Sequence, residues 1–154
     1  MKNSVNIKFE SQSVNESFAR IAVSAFLAPL NPTINELADI KTAVSEAVTN
    51  AIVHGYRDTA GIIEMKINVD GEWVRIEIID DGTGIEDVEK ARQPFYTTCG
   101  DGTRSGMGFM VMESFMDEVE ISSVVGIGTK IIMKKKIKKA ENTNTIESKE
   151  CANT

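Results

Sequence analysis

The chain has 154 residues, 42% of them hydrophobic, which suits one domain with a single core. Its formal net charge of −6 argues against binding the phosphate backbone of DNA or RNA, although a basic run, Lys134–Lys136, lies late in the chain. The wide spacing of Cys99 and Cys151 argues against a disulfide framework, and no stretch approaches the roughly 18 apolar residues of a membrane span, so we expect a cytoplasmic protein.

Residues 4–9 alternate apolar and polar side chains, which predicts a strand. Its apolar side consists of Val5, Ile7 and Phe9. These side chains could pair with a second copy of the chain across a two-fold axis, or they could face the core. We favour the core.

A first helix is predicted after this strand. Ser13 and Glu16 have the spacing of a capping box, in which two side chains bind the first free amides of a helix. The predicted inward stripe of the helix is Phe18, Ile21, Ala22 and Ala25.

A second helix is predicted over about residues 35–54, after the break at Pro29 and Pro32. Its apolar stripe consists of Leu37, Ile40, Val44, Ala47, Val48 and Ala51. Glu46 and Asn50 fall on the other side, one turn apart. They could form a solvated face. Alternatively, Asn50 could give an oxygen to a hard cation such as Mg²⁺ while Glu46 accepts a proton from an attacking hydroxyl.

Two alternating segments, IIEMKINV and EWVRIEII, predict a hairpin that turns at Asp70 and Gly71. The second strand ends in Asp80, and Gly82 and Gly84 follow at once. This segment could be a tight turn, since Gly and Asp are common in turns, or a site where the Asp80 carboxylate accepts a hydrogen bond from a ligand amine. A short helix is predicted just beyond it, near IEDVEKAR.

The segment TTCGDGTRSGMGF carries glycines at positions 100, 102, 106 and 108 and leads into a third predicted helix, GFMVMESFMDE. Unhindered amides at a helix N-terminus form an anion site, so phosphate is the expected ligand. Arg104 could add charge to that site or could face solvent. The segment is not a Walker A loop, since no Gly-Lys-Ser/Thr follows, and it is not a Rossmann fingerprint, since no strand directly precedes it.

The last predicted elements are a hairpin, VEISSVVGIGTKIIMKKK, which turns at residues 126–128, and a polar tail over residues 138–154. We expect residues 1–137 to form one domain. The order of elements predicts an α+β fold, a two-layer α/β sandwich with the helices on one face of a mixed, mostly antiparallel sheet. Together these features would bind a cation at Asn50, place a base at Glu46, bind an amine at Asp80 and bind phosphate at the glycine-rich segment. Nucleotide binding is therefore the leading hypothesis.

These residues resemble the motifs of the GHKL superfamily of ATP-binding domains, the Bergerat fold, shared by gyrase, Hsp90, MutL and histidine kinases. EAVTNAIVHG is similar to its N box, DDGTGI to its first glycine box and RSGMGF to its second. The chain resembles one branch of this superfamily more closely, the serine protein kinases that also hold a sporulation sigma factor inactive. The segments that carry this resemblance are ESFAR, VSEAVTNAIVHGY, ARQPFYTT and SGMGFMVMESFMDEVE. The similarity runs in order from about residue 4 to residue 136.

The resemblance implies a site for ATP or ADP with Mg²⁺. Asn50 would coordinate the metal, Glu46 would be the catalytic base, and Asp80 would bind the adenine amino group with help from Gly82 and Gly84. The lid and phosphate cradle would consist of Thr98, Arg104, Ser105, Gly106, Met107, Gly108 and Phe109. Family members often carry a lysine or proline after the paired threonines, whereas Cys99-Gly100-Asp101-Gly102 follow here.

The same resemblance implies partners. The phosphoacceptor would be a serine on an anti-anti-sigma factor, the kinase would act as a homodimer, and Glu16 and Arg20 would contact the sigma factor or the anti-anti-sigma factor. ATP would order the loop around residues 95–108 and so bias the choice of partner. The single histidine, His54, fits a structural or site-edge role better than a phosphoacceptor role. Two alternatives remain, a nucleotide-sensing anti-sigma module without phosphotransfer and a related stress-response switch kinase.

Overall fold

The computed structural model describes residues 1–93 and 108–139. Its strands are β1 Lys2–Glu10, β2 Ile62–Asp70, β3 Trp73–Asp80, β4 Glu118–Val124 and β5 Gly128–Lys136. Its helices are α1 Asn15–Leu27, α2 Ile34–Asn50, α3 Val88–Ala91 and α4 Gly108–Phe115, with a 3-10 turn at Ala28–Leu30 and a π-helical turn at Ala51–Gly55. The predicted order of elements is confirmed. Within the described ranges, no helix is both long enough and apolar enough to cross a membrane.

The five strands form one sheet in the order β1-β2-β3-β5-β4, and each neighbouring pair is antiparallel. Every second side chain of β2 is buried, as expected for a sheet with one covered face. That face packs with α1, α2 and α4 into one hydrophobic core. The predicted α+β class is therefore confirmed, and the pairings between the described strands are all antiparallel rather than mixed.

Both predicted hairpins are present and bring distant segments together. The first turns at Gly71 and Glu72, and the second turns over residues 125–127. Because β3 pairs with β5, the second hairpin places Thr129 directly opposite Asp80. The sheet therefore joins the end of β3 to the start of β5.

Strand β1 lies at one edge of the sheet, and its apolar side faces the core. Phe9 is buried, and Val5 and Ile7 are partly buried against the core cluster. The ring of Phe9 meets the ring of Phe18 edge-on, with centroids 5.8 Å apart. The preference for a core role over an exposed pairing surface is confirmed.

The predicted capping box of α1 is absent. Val14 is the N-cap residue, and no side chain binds the first amides of the helix. Instead, the backbone carbonyl of Ser13 accepts a hydrogen bond from the Glu16 amide at 3.2 Å. The capping box is found one helix later, where Thr33 and Glu36 bind each other's backbone amides at the start of α2.

The predicted inward stripe of α1 is also wrong. The buried side chains are Ala19, Val23 and Leu27, whereas Phe18 is 45% and Ile21 is 67% exposed. Two apolar stripes share this helix at the same spacing, and periodicity alone does not choose between them. The compact side chains of Ala19 and Val23 let α1 approach α2 closely, and this packing turns the bulkier stripe outward.

Helix α2 ends at Asn50, whereas the sequence pattern predicts an α-helix to about residue 54. From Ala51 to Gly55 the backbone widens into a π-helical turn, in which the Tyr56 amide donates to the Ala51 carbonyl at 2.9 Å. Turns of this kind are rare and occur often at functional sites. This turn lies between Asn50 and the residues that contact Asp80.

Candidate functional site

A cavity of about 330 Å³ lies where the end of α2, the end of β3 and the start of α4 meet. Its lining includes five residues that the sequence singled out, namely Asn50, Asp80, Gly84, Gly108 and Phe109. The volume is at the lower end of the range found for small-molecule sites. Residues from three separate motifs therefore converge on one pocket.

Asp80 is the buried acid of this pocket, with a relative exposure of 6%. The pKa of its carboxyl is raised from 3.8 to about 6, because burial and, to a lesser extent, the nearby Asp81 charge raise it by more than hydrogen bonds from the Gly82 and Thr129 amides lower it. The Gly82 amide donates to Oδ1 at 3.0 Å. An ionised carboxylate held in such a place gains stability from any further donor, such as a ligand amine.

The wall behind Asp80 is glycine because a side chain would not fit there. A Cβ atom on Gly55 would lie 2.8 Å from Asp80 Oδ1, well inside van der Waals contact. Gly84 has a φ of +76°, which other residues adopt rarely, and it packs against the backbone of Val124. Both positions bring backbone close to the pocket.

The segment after α2 is tied to the loop after β3 by three hydrogen bonds. The Thr83 amide donates to the Gly55 carbonyl at 2.9 Å, and the Thr83 hydroxyl donates to the His54 carbonyl at 3.1 Å. The Asp81 amide donates to the Tyr56 hydroxyl at 2.8 Å. We call residues 54–56 together with residues 81–83 the clasp.

Glu46 and Asn50 are half-buried and face the start of α4. A Cβ atom on Gly108 would lie 3.2 Å from Glu46 Oε2 and 3.3 Å from both terminal atoms of the Asn50 amide. Both side chains therefore meet the N-terminus of α4, where helix amides and the helix dipole favour an anion. A carboxylate, an amide oxygen and an anion site lie side by side here.

Several predicted site residues lie outside the described ranges, namely Thr98, Arg104, Ser105, Gly106 and Met107. The sequence departure at Cys99-Gly100-Asp101-Gly102 and the tail beyond Lys139 lie outside them as well. Phe109, on the first turn of α4, is buried and lines the cavity.

The two predicted partner contacts lie on α1. Glu16 and Arg20 are half-buried, and neither belongs to the described lining of the cavity. The Arg20 guanidinium donates to the hydroxyls of Ser17 and Ser45, each at 2.9 Å. Ser45 directly precedes Glu46 on α2, so Arg20 links α1 to α2 beside Glu46.

The pocket also contains residues that the sequence analysis did not select, including Arg57, Thr129 and Val125. Thr129 had a detectable signal, since it is a polar residue at an inward position of a strand that otherwise buries Ile131 and Met133. His54 lines the cavity as well.

The described residues contain no group of three or more His, Cys, Asp or Glu side chains that could hold a metal ion. Asn50 Oδ1 is a neutral oxygen of the kind that Mg²⁺ accepts as one of its few protein ligands, beside waters and phosphate oxygens.

Comparisons with known proteins identify the family of the chain. The model of the histidine kinase-like ATPase domain matches residues 9–135. An anti-sigma F factor of a Thermoanaerobacter species is 56% identical over 135 residues, which cover 88% of this chain and 94% of that protein. The anti-sigma F factor of Clostridium acetobutylicum is 52% identical, over 88% of this chain and 95% of that protein. The anti-sigma F factor of Geobacillus kaustophilus is 50% identical, over 92% of this chain and 97% of that protein.

Solved structures show the same fold at lower identity. The RsbU and RsbW domains of a Mycobacterium tuberculosis protein match with a TM-score of 0.65 and 22% identity, over 88% of this chain and 32% of that longer chain. The catalytic domain of the histidine kinase ThkA matches with a TM-score of 0.53 and 18% identity, over 86% of this chain and 96% of that one. From its sequence relatives and its matching domain model, the chain belongs to the anti-sigma F factor family, within the histidine kinase-like ATPase domains.

Proposed function

We propose that the protein is an ATP- and Mg²⁺-dependent serine kinase that phosphorylates an anti-anti-sigma factor, and that it also binds and inhibits a sporulation sigma factor, sigma F. Relatives named anti-sigma F factor, 50–56% identical over most of the chain, support the regulatory half of this proposal. The kinase half depends on the pocket.

Asn50, Gly108 and Asp80 line one pocket, and Glu46, one turn before Asn50 and outside the described lining, faces Gly108 together with Asn50; this convergence is the observation that carries the kinase proposal. It puts an acid, a neutral oxygen ligand and a helix N-terminus at one end and a hydrogen-bonding carboxylate at the other. A nucleotide needs these same functions at its phosphates and at its base.

Each residue has a proposed role. Asp80 accepts a hydrogen bond from the adenine amino group, with the backbone at Gly82 and Gly84 close to the base. Asn50 Oδ1 is the protein ligand that would hold Mg²⁺. Bound Mg²⁺ and ATP would supply the transferable phosphoryl group and neutralise charge that develops on it.

Glu46 is the proposed general base. It lies one helical turn before Asn50 and takes the proton from the serine hydroxyl of the partner as that oxygen bonds to the γ-phosphorus of ATP and the bond from this phosphorus to the leaving ADP breaks. A positioned base of this kind contributes roughly 10²–10⁴-fold to the rate. Half-burial keeps the carboxylate close to the reacting groups while leaving it accessible to a protein substrate.

The partner surface proposed for the sigma factor and the anti-anti-sigma factor is the part of α1 around Glu16 and Arg20. The hydrogen bond from Arg20 to Ser45 connects that surface to α2 beside Glu46. We further propose that residues 1–137 act as one kinase and anti-sigma domain in the cytoplasm, that the protein is a homodimer, and that residues 138–154 are a tail outside it.

The test is phosphate transfer from labelled ATP with Mg²⁺ to a candidate anti-anti-sigma protein, for wild type and Glu46→Gln. We expect transfer to fall by at least about 100-fold in the variant, with ATP binding and sigma F binding within about twofold of wild type. Glu120→Gln, at an exposed position on β4, is the matched control and should transfer phosphate normally.

Transfer by Glu46→Gln at the wild-type rate would exclude Glu46 as the base. Wild-type protein that binds ATP and sigma F but labels no partner serine would instead indicate the binding module without phosphotransfer.

A further inference from the structure

The hydroxyl of Tyr56 bridges two strands through their backbones. It donates to the Ile62 carbonyl at the start of β2, at 2.5 Å, and accepts from the Asp81 amide just after β3, at 2.8 Å. Burial raises the pKa of this phenol, so the hydroxyl keeps its proton at neutral pH and can make both bonds. Tyr56 is 7% exposed and is not part of the described lining of the cavity.

The bond to Asp81 lies one residue from the buried carboxylate of the pocket. The Asp80 carboxylate is held by the Gly82 amide on one side and touches Gly55, the neighbour of Tyr56, on the other. The peptide between Asp80 and Asp81 therefore has its amide fixed by Tyr56, and the next amide fixes the carboxylate itself. A shift of this backbone would turn the acid in the pocket.

The ring of Tyr56 is held as firmly as its hydroxyl. It lies against Gly61, where any side chain would overlap the ring, and the Tyr56 carbonyl accepts from the Thr59 amide at 2.9 Å. The π-helical turn ends at Tyr56 through its own amide. The hydroxyl thus has a position set by the end of the π-helical turn, the ring contact with Gly61 and its own two backbone hydrogen bonds.

We propose that Tyr56 is a positioning residue for base recognition, whose hydroxyl sets the orientation in which Asp80 accepts a hydrogen bond from the 6-amino group of adenine. This inference rests on the proposed function, because it takes Asp80 as the reader of the base. Tyr56 acts through the Asp81 and Gly82 amides and does not touch the nucleotide.

The test compares binding of ATP with binding of purine riboside triphosphate, which lacks the 6-amino group, for wild type, Tyr56→Phe and Ser11→Ala. Ser11 is the matched control, since its hydroxyl accepts from the Gly61 amide at 2.9 Å in the same corner but does not reach Asp81. Both substitutions remove one hydroxyl that binds backbone, and thermal unfolding without nucleotide reports their structural cost.

We expect Tyr56→Phe to weaken ATP binding by about 5- to 20-fold, because a misoriented Asp80 carboxylate loses part of its charged hydrogen bond to the 6-amino group, and to change purine riboside triphosphate binding by less than about twofold. Ser11→Ala should leave the ratio of the two affinities at the wild-type value, even if it lowers the unfolding temperature as much.

The inference is overturned if Tyr56→Phe leaves the ratio of the two nucleotide affinities unchanged, whether it weakens both or neither. It is also overturned if Ser11→Ala changes this ratio to the same extent as Tyr56→Phe. Those results leave the proposed function intact as long as wild type prefers ATP. A wild-type protein that does not distinguish the two nucleotides would remove the assignment of Asp80 and, with it, the role of Tyr56.

Discussion

The two ends of the pocket are built in different ways. At the base end, Asp80 is set by irregular backbone, namely the π-helical turn, the clasp and the amides that bind its carboxylate. At the end proposed for catalysis, Asn50 lines the pocket and Glu46 projects from the same regular helix one turn earlier, and both side chains face Gly108 at the start of α4.

This difference separates two kinds of sensitivity. Backbone bonds and burial determine the charge and direction of one acid at the base end, so changes there should alter affinity. Side-chain spacing determines the catalytic end, so changes there should alter rate while the nucleotide still binds. The comparison would be wrong if substitutions near Asp80 changed the transfer rate but not ATP affinity. It would also be wrong if substitutions near Glu46 and Asn50 changed ATP affinity but not the transfer rate.

The largest effect on ATP affinity is expected for Asp80→Asn. It removes the charged acceptor proposed for the adenine amino group, and hydrogen bonds to charged groups are worth about 1.5–3 kcal/mol, so ATP affinity should fall by roughly 10- to 150-fold. Calorimetric titration measures it. Asp81→Asn, an exposed neighbour, should bind ATP within about twofold of wild type. Equal losses in the two variants would mean that net charge, not the buried carboxylate, matters.

A rise in pH should lower the free energy of unfolding and raise the affinity for ATP. Asp80 has its pKa raised from 3.8 unfolded to about 6 folded, so the folded state binds more protons between these values and loses stability as pH rises through that window, by up to about 3 kcal/mol. ATP binding requires the ionised acid, so affinity should rise about tenfold from pH 5 to pH 7.

Urea unfolding without nucleotide and ATP titration, both run from pH 4.5 to 7.5, measure these two trends. In the Asp80→Asn variant, the contribution of Asp80 to the pH dependence of unfolding and to the pH dependence of ATP affinity should be absent. An identical pH dependence of unfolding in wild type and Asp80→Asn would show that another group carries the titration.

Sequence periodicity predicted the fold well because most elements have one clear pattern. The hairpins follow from alternating strands around turn residues, and α2 follows from a single apolar stripe. Helix α1 was misjudged because it carries two stripes, and the choice between them depends on how closely it approaches α2, which is a tertiary property.

The site was predictable where its chemistry depends on local spacing. Glu46 and Asn50 share a helix at a separation of one turn, and Asp80 ends a strand before glycines. Tyr56 and Thr129 were missed because their importance depends on pairing across the chain. Thr129 reaches Asp80 through the β3–β5 register, and Tyr56 reaches Asp81 through the clasp.

The smallest expected effect tests the catalytic end through Gly108→Ala. The new methyl group would lie 3.2 Å from Glu46 Oε2 and 3.3 Å from Asn50, so both side chains must move by a few tenths of an ångström. A misplacement of 1 Å can cost about 100-fold, so this smaller shift should slow phosphate transfer by roughly 5- to 10-fold, with ATP affinity within about twofold. Thermal unfolding of the variant without nucleotide measures the stability cost of this crowding and so separates a lost rate from unfolding. Ser114→Ala, on the exposed side of the same helix, is the control and should transfer phosphate at the wild-type rate.

If Gly108→Ala instead weakened ATP binding and left the transfer rate of the saturated enzyme unchanged, the division of the pocket into a binding end and a rate end would be wrong.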